Sequence, residues 1–327
     1  MTVSADLFRL AFVRETTPGV TPATPPYLVA RITSEGLNYN PTTTLSNELN
    51  PNRQVTDVIV AGGSSGGDVS FEMSRNDWFE EMLSAVLGND WDATLPDRLE
   101  VGPILKTYTI EKRFTVDAAA PIYDFHRIVE AAVDAMTLTF TPGGPNTGSV
   151  TILGSTYTRN DTEIVGSVYA DPGTKPVMIG SDVFPITVTI EGTPYNGWCL
   201  SALTTNFKNN ARAIECLGTV GAAEVVLGRF ECEVTAQIYI QDATKQLMDA
   251  FLLSQEIEFA FSAADSLGNT YSFDFPRIRV ATAQQVAGGT NTDVVLAVTL
   301  QGLVTTTGAV PTVDSCVVIT RAPTVPA

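Results

Sequence analysis

Residues 62–66 read GGSSG, the spacing that can hold a nucleophilic serine, here Ser64, on a tight turn between a strand and a helix. That chemistry needs a histidine base, and the chain has one histidine, His126. The segment after Ser64, residues 68–73 (DVSFEM), alternates apolar and polar side chains as a strand does, so the required helix is missing. The expected structure is a Gly-Ser turn. The same glycines lack the Lys–Ser/Thr ending of a phosphate-binding loop. Gly143-Gly144 and Gly288-Gly289 read as turns ahead of strands. Cys199, Cys216, Cys232 and Cys316 are scattered without a CxxC pair and are expected as reduced thiols in the core. One histidine excludes a histidine-rich metal centre. Glu80 and Glu81 fall in the first turn of a predicted helix, where negative charge is favoured for its own sake. No enzymatic activity, cofactor or metal is expected.

The chain has 36 acidic and 19 basic side chains in 327 residues, a formal charge of −17, yet only 17% of its residues are charged. This balance argues against tight binding to phosphate backbones or to an anionic membrane, both of which need clustered Lys and Arg. No apolar run of about 18 residues is present, so no membrane-spanning helix is expected. The first residues lack a basic stretch followed by a long apolar one, so no export signal is expected. With 44% hydrophobic residues the chain can bury a substantial core.

The elements that must carry these residues are mainly β. Alternation is clear in residues 68–73, 136–140, 150–153, 186–190, 236–240 and 294–300, with Gly, Pro, Asn and Asp between the runs. Two helices are predicted, over 77–87 (Asp77 as cap, Glu80 completing a capping box, Gly88 past the end) and over 242–253 (Asp242 as cap). Shifted by 165 residues, 68–87 falls on 233–252 without a gap. Leu37 and Asn40 fall on Leu203 and Asn206 at a shift of 166, and YDFHRI (123–128) on FDFPRI (273–278) at 150. GGPNT (143–147) then falls on GGTNT (288–292). Four matches in one order predict two tandem β-barrel or sandwich domains, each with one flanking α-helix and a long inter-strand loop. The expected division is an extended N-terminal arm (1–31), a first domain (32–154), a connector with extra strands (155–197), a second domain (198–303) and a C-terminal arm (304–327).

The long loops, residues 42–67 and 208–232, exceed the two to five residues of an ordinary hairpin. Each contains an apolar stretch, which a solvated tether would not need. They are expected to order against a partner subunit through Glu48, Arg53, Asp57, Val58, Ile59 and Val60 in the first, and Val220, Val225, Val226 and Leu227 in the second.

FVRETTPGVTPATP (12–25), GLNYN (36–40), NELNPNRQVTD (47–57), SSGGDVSFEMS (64–74) and TFTPGGPNTGSVTILG (139–154), in this order, resemble the major tail tube proteins of tailed bacteriophages, particularly of the long, non-contractile-tail type. The resemblance spans nearly the whole chain to about Gly302. It implies a structural virion protein, made and assembled in the host cytoplasm. Its copies would form stacked rings around an acidic channel. The tube would grow around a tape-measure protein, meet tail-tip and tail-terminator proteins at its ends, and conduct DNA without specific binding. Two units per chain would give rings of three chains with pseudo-sixfold symmetry. The alternative is a β-sandwich binding module, such as a virion decoration or a carbohydrate-binding protein; with 8% aromatics and 3 tryptophans the chain is poor in sugar-stacking platforms.

Overall fold

The structure, a computed structural model, describes residues 5–49, 51–52, 54–92, 97–117, 122–195, 198–218, 221–240, 245–287, 289–290, 293–305 and 314–322. It is a β fold with two helices, as expected. In the first half, β1 (Arg9–Arg14), β2 (Pro26–Val29), β3 (Ser34–Glu35), β4 (Asn38–Leu45) and β5 (Val58–Glu72) precede helix α1 (Asp77–Leu87). Then come β6 (Arg98–Glu100), β7 (Thr107–Asp117), β8 (Ile122–Phe140), β9 (Thr147–Gly154), β10 (Thr156–Asn160) and β11 (Val168–Ala170). β4 and β3 pair β5, β5 pairs β9, and β9 pairs the C-terminal part of β8. β8 then bends at Glu130, which holds φ +54°, and its N-terminal part pairs β7 and β10. β1 closes on β7 and β2 on β1.

The second half contains β12 (Val183–Ile190), β13 (Thr193–Tyr195), β14 (Leu200–Lys208), β15 (Arg212–Glu215), β16 (Ala222–Val226) and β17 (Glu231–Tyr239). Helix α2 (Lys245–Leu252) follows, with β18 (Glu256–Ala264), β19 (Thr270–Ala287), β20 (Val294–Gly302) and β21 (Val318–Ala322). The order of pairings repeats that of the first half. β14 pairs β17, β17 pairs β20, and β20 pairs the C-terminal part of β19. The N-terminal part of β19 pairs β18 and β21, β12 closes on β18, and β13 on β12. The registers agree as well. Val69 lies opposite Val150 where Val234 lies opposite Leu300, and Glu35 opposite Val69 where Thr205 lies opposite Val234. This pairing relates Glu35 to Thr205 and Asn38 to Lys208, an offset of 170, rather than Leu37 to Leu203 at 166. A shared Leu and Asn were too little to fix the offset across the hairpin, whose two versions differ in length.

Strand pairing links nineteen strands into one continuous, folded sheet, with β15–β16 as a separate ribbon. The sheet does not close into a barrel within one chain, so of the two expected β architectures the sandwich describes it. The N-terminal segment wraps its own half through β1 and β2. Of residues 304–327, those described from 314 to 322 pack inward: Val317 and Ile319 are fully buried, and β21 bridges β19 of the second half and β6 of the first.

α1 occupies the residues its periodicity predicts. Trp78, Phe79, Met82, Leu83 and Val86 are all buried, and Gly88 ends the helix at φ +64° as a left-handed cap. The N-cap is Asn76, not Asp77: its side-chain oxygen accepts from Phe79 N at 2.9 Å. Glu80 accordingly does not reach back to a cap. It binds Arg321 and, at 3.3 Å, Arg75, and accepts from Tyr271 Oη at 3.0 Å. A helix of the first half is thereby tied to β19 and β21 of the second. The second helix begins at Lys245; its expected cap, Asp242, lies outside the described residues. Cys232 and Cys316 are in the core, as expected, whereas Cys199 and Cys216 are exposed, the first just before β14 and the second just after β15.

Phe79 packs on Phe71 (5.5 Å between centroids) and edge-on against Tyr271 (5.3 Å), so it joins the halves. Phe79→Ala is expected to cost about 3–5 kcal/mol in urea unfolding, as large-to-small changes at filled sites do. Leu253→Ala, at a residue 68% exposed, should stay within about 0.5 kcal/mol of wild type.

Candidate functional site

The predicted loops are hairpins. β4 pairs the first residues of β5, with a register shift between Thr42 and Thr43 and then Thr43 opposite Val60, Thr44 opposite Ile59 and Leu45 opposite Val58. The second loop folds as β15–β16, with Ala213 opposite Val225 and Ile214 opposite Glu224. At the offsets above, 170 on one strand and 165 on the other, these are the same pairs. Both strands of the first hairpin are mostly exposed on both faces, so burial imposes no one-sided alternation and the sequence reads as loop.

The hairpins differ in what they touch. The second folds back onto the first half. Val225 N donates to Glu130 Oε1 (3.2 Å), Ser155 Oγ donates to Ala222 O (2.7 Å), and Val225 is 2% exposed. Val226 and Leu227 are half-buried beside it. The first hairpin stands out from the molecule: Val58, Ile59 and Val60 are 56%, 51% and 53% exposed. Glu48 and Asp57 lie exposed at its turn, where Asp57 Oδ1 accepts from Val58 N. Arg53 and Val220 lie outside the described residues. The hairpins meet at a cleft of about 400 Å³ lined by Ala61, Gly62, Glu215, Cys216, Leu217 and Gly221.

The halves are joined by a strand pair whose spacing carried no local signal. β8 and β14 run antiparallel, from Phe140 opposite Leu203 to Ala135 opposite Lys208. Thr137 Oγ1 donates to Asn206 Oδ1 (2.9 Å), Asn209 Nδ2 to Val133 O (2.9 Å), and Ala211 N to Asp134 Oδ1 (2.6 Å). Behind the seam, the Phe140 ring meets Phe261 at 5.0 Å. The counterpart edges have no strand on their far side, although at Leu37 side chains of the same chain take both backbone groups: Leu37 N donates to Glu35 Oε2 (2.9 Å) and Leu37 O accepts from Lys112 Nζ. Residues 280–287 of β19 pair β20 on one side, and β3–β4 pair β5 on one side; among the described residues no strand covers the other. Unpaired edges of this length invite pairing with another chain.

One face of the joined sheet holds the core. The opposite face carries Asp68, Ser70 and Glu72 of β5, Thr137 and Thr139 of β8, Thr151 of β9, Thr204 and Asn206 of β14, Glu233 and Thr235 of β17, and Thr299 and Gln301 of β20. The acids are knit into this polar lattice: Thr151 Oγ1 donates to Asp68 Oδ1 (2.7 Å), and Asn206 Nδ2 lies 3.5 Å from Glu233 Oε1.

Ser64 is exposed in mid-strand opposite Asn40, with no helix after it for a nucleophile turn. His126 sits between Asp124 (3.1 Å) and the Tyr157 hydroxyl, edge-on to Phe114, a structural setting. No cluster of His, Cys, Asp or Glu among the described residues could hold a metal ion. Burial raises the Glu130 carboxyl above its ordinary range, opposed by the hydrogen bond from Val225. Near the open edge, Arg277 (2.6 Å) and Arg279 (2.9 Å) hold Glu256 down to about 2.

Sheet edges without a covering strand, an exposed apolar hairpin and a polar face are what the molecule presents here. A family model described as phage tail tube protein matches residues 8–302, and the chain belongs to that family. It is therefore a structural component of the virion tail tube and not an enzyme. No curated protein sequence matches the chain.

The Glu256 carboxyl titrates lower in the folded chain than its ordinary 4.5, so its pairing stabilises the fold above pH 4.5, and that contribution is lost as pH falls toward about 2. The Tm difference between wild type and Glu256→Gln is expected to be present at pH 6 and to vanish by pH 2. Because the group is 43% exposed, 1 M salt should shrink the difference at pH 6.

Proposed function

We propose that the two halves are two copies of one tube unit, and that three chains close into a ring with pseudo-sixfold symmetry. The observation that carries this reading is the β8–β14 seam: the edges it joins inside the chain, β8 of one half and β14 of the other, have open counterparts in β19 and β3–β4. Each chain contributes eight strand positions to a continuous wall, in the order β3–β4, β5, β9, β8, β14, β17, β20 and β19. Three chains make a barrel of 3 × 8 = 24 strands. At about 4.8 Å per strand and a tilt of about 40°, such a barrel is roughly 50 Å across, wide enough to pass a duplex.

The core face turns outward toward the helices, and the polar face lines the channel. Asp68, Glu72 and Glu233 repel phosphates, while the surrounding hydroxyls and amides offer weak, interchangeable hydrogen bonds. A ring carries 3 × −17 = −51 formal charges, so DNA is conducted without being held. Before DNA, the same channel holds a tape-measure protein around which rings stack in the host cytoplasm. Tail-tip and tail-terminator proteins cap the two ends.

Cryo-electron microscopy of tubes grown from the purified chain is expected to show three chains per ring and an acidic channel wall. Six full-length chains per ring, or a net basic wall, would overturn the reading. Replacing Asp68 and Glu233 by Lys should leave tubes intact and make them retain DNA at low salt, with retention falling steeply as salt rises.

A further inference from the structure

Resting on the ring reading, we infer that the joint between chains repeats, strand for strand, the joint within the chain. Residues 33–38 of one chain pair antiparallel with residues 279–285 of the next, and the Val58–Val60 flank of the first hairpin seats on the second half of that neighbour.

Register fixes the partners. Within the chain, Thr204 lies opposite Thr139, Thr205 opposite Leu138, and Phe207 opposite Met136. On β14, these residues correspond to Ser34, Glu35 and Leu37, because Thr205 opposite Val234 matches Glu35 opposite Val69. On β8, they correspond to Gln284, Ala283 and Val280. Thr139 pairs Thr147 and Gln284 pairs Ala297; Thr147 and Ala297 in turn face the equivalent positions Glu72 and Gln237. Ser34 of one chain therefore lies opposite Gln284 of the next, Glu35 opposite Ala283, and Leu37 opposite Val280. Faces are preserved: Ser34 and Gln284 fall on the polar side, Leu37 and Val280 on the core side.

The hairpin follows the same correspondence. Val60 occupies in the first hairpin the place of Val225 in the second, by their identical partners Thr43 and Ala213. Val225 is buried because the first half of its own chain covers it; Val60 is exposed because its cover belongs to the next chain. The seat of the second hairpin lies at the bend of β8 and just past β9, at Glu130 and Ser155. The matching place on the neighbour is the bend of β19 and the end of β20, where Val304 is 58% exposed. The second hairpin breaks from its sheet at Asn210 (φ +48°) and Gly228. The first has a register shift between Thr42 and Thr43, next to Gly63, the counterpart of Gly228, so the bend needed for docking falls at an existing irregularity.

The test is disulfide trapping in assembled tubes. Ser34→Cys with Gln284→Cys, in a chain also carrying Cys199→Ser and Cys216→Ser, is oxidised with copper phenanthroline and run on denaturing gels. Efficient cross-linking is expected, with a three-chain species as the largest product. The pair slipped by one repeat, Ser34→Cys with Thr282→Cys, should link several-fold less. Rings of three chains without the Ser34–Gln284 link, or with the slipped pair linking better, would overturn this inference and leave the ring reading standing. A ladder longer than three would overturn the three-chain ring and leave the joint standing. If the variants do not assemble, hydrogen exchange on the wild-type chain decides. Amides of 33–38, 58–60 and 280–285 should slow on tube formation, and unchanged exchange there overturns the inference. Val60→Asp should block tube growth while leaving the Tm of the unassembled chain unchanged.

Discussion

The structure depends on the need of every strand edge for a partner. A backbone N–H or C=O left unpaired in a dry interior costs about as much as a lost hydrogen bond, so sheets must close, be covered, or be extended by another strand. Within the chain this demand is met at one place by joining the halves: β14 completes β8, and the core runs unbroken behind the seam through Phe140, Phe261 and Phe273. The edges of the sheet elsewhere are finished by β1 and β2, β12 and β13, β10 and β21. Two edges of the central wall are left, and they are the two that the internal seam has already shown how to join. A wall with complementary antiparallel edges can add copies of itself head to tail, closing into a ring where the rotation per copy closes and running on as a filament where it does not.

The two hairpins pair alike and sit in different environments. Their paired residues correspond position by position, but the second rests on Glu130 and Ser155 while the first projects. Burial therefore follows from what stands beside a hairpin, not from its composition: Val60 and Val225 are the same residue type at equivalent places, 53% and 2% exposed. Each valine moved from water into a packed site contributes on the order of 1.5 kcal/mol. A flank of three apolar residues is enough to bias association once edge pairing aligns two chains, yet too small to hold them together unaligned.

Where burial on one face imposes a period, the sequence was legible. α1 occupies residues 77–87 as predicted because its stripe, Phe79, Met82, Leu83 and Val86, is fully buried and Gly88 stops it. The alternating runs at 136–140 and 294–300 lie in β8 and β20 for the same reason. The hairpin strands were not legible. NYNPTTTL and VIVA are exposed on nearly every residue, and the run GGSSGG that follows, though partly buried, has no apolar side chain to show a pattern. The cap moved by one residue because Asn76 and Asp77 are both competent, and only the recruitment of Glu80 by Arg75, Arg321 and Tyr271 separates them. The seam left no trace in the sequence at all, since pairing between residues some 65 positions apart has no local period. The hairpin residues drew notice through their apolar stretches, with Glu48, Arg53 and Asp57 beside the first, whereas the strand edges, whose groups are backbone, carry no such signal.

Sparse charge follows from the same constraint. A central wall that is core on one face and lined with hydroxyls and amides on the other has few places for charge, which fits a chain with only 17% charged residues although the net charge is −17. On the polar face, Thr, Ser, Asn and Gln fill most positions and a few acids are spaced among them. Asp68 accepts from the Thr151 hydroxyl and Glu233 lies beside the Asn206 amide, rather than against a cation that could turn toward a phosphate. Several cations pair away from this face, Arg321 with Glu80 and Asp97, and Arg127 and Arg9 with Glu111, whereas Lys208 follows Thr204 and Asn206 on the polar side of β14 and Arg279 lies opposite Gln301. In the proposed ring, a low density of fixed negative charge keeps the polymer at a distance. The neutral donors and acceptors between the acids bind any one phosphate no better than water does. The same placement leaves the two open edges nearly neutral, so the repulsion that clears the channel does not oppose the strand pairing that builds it.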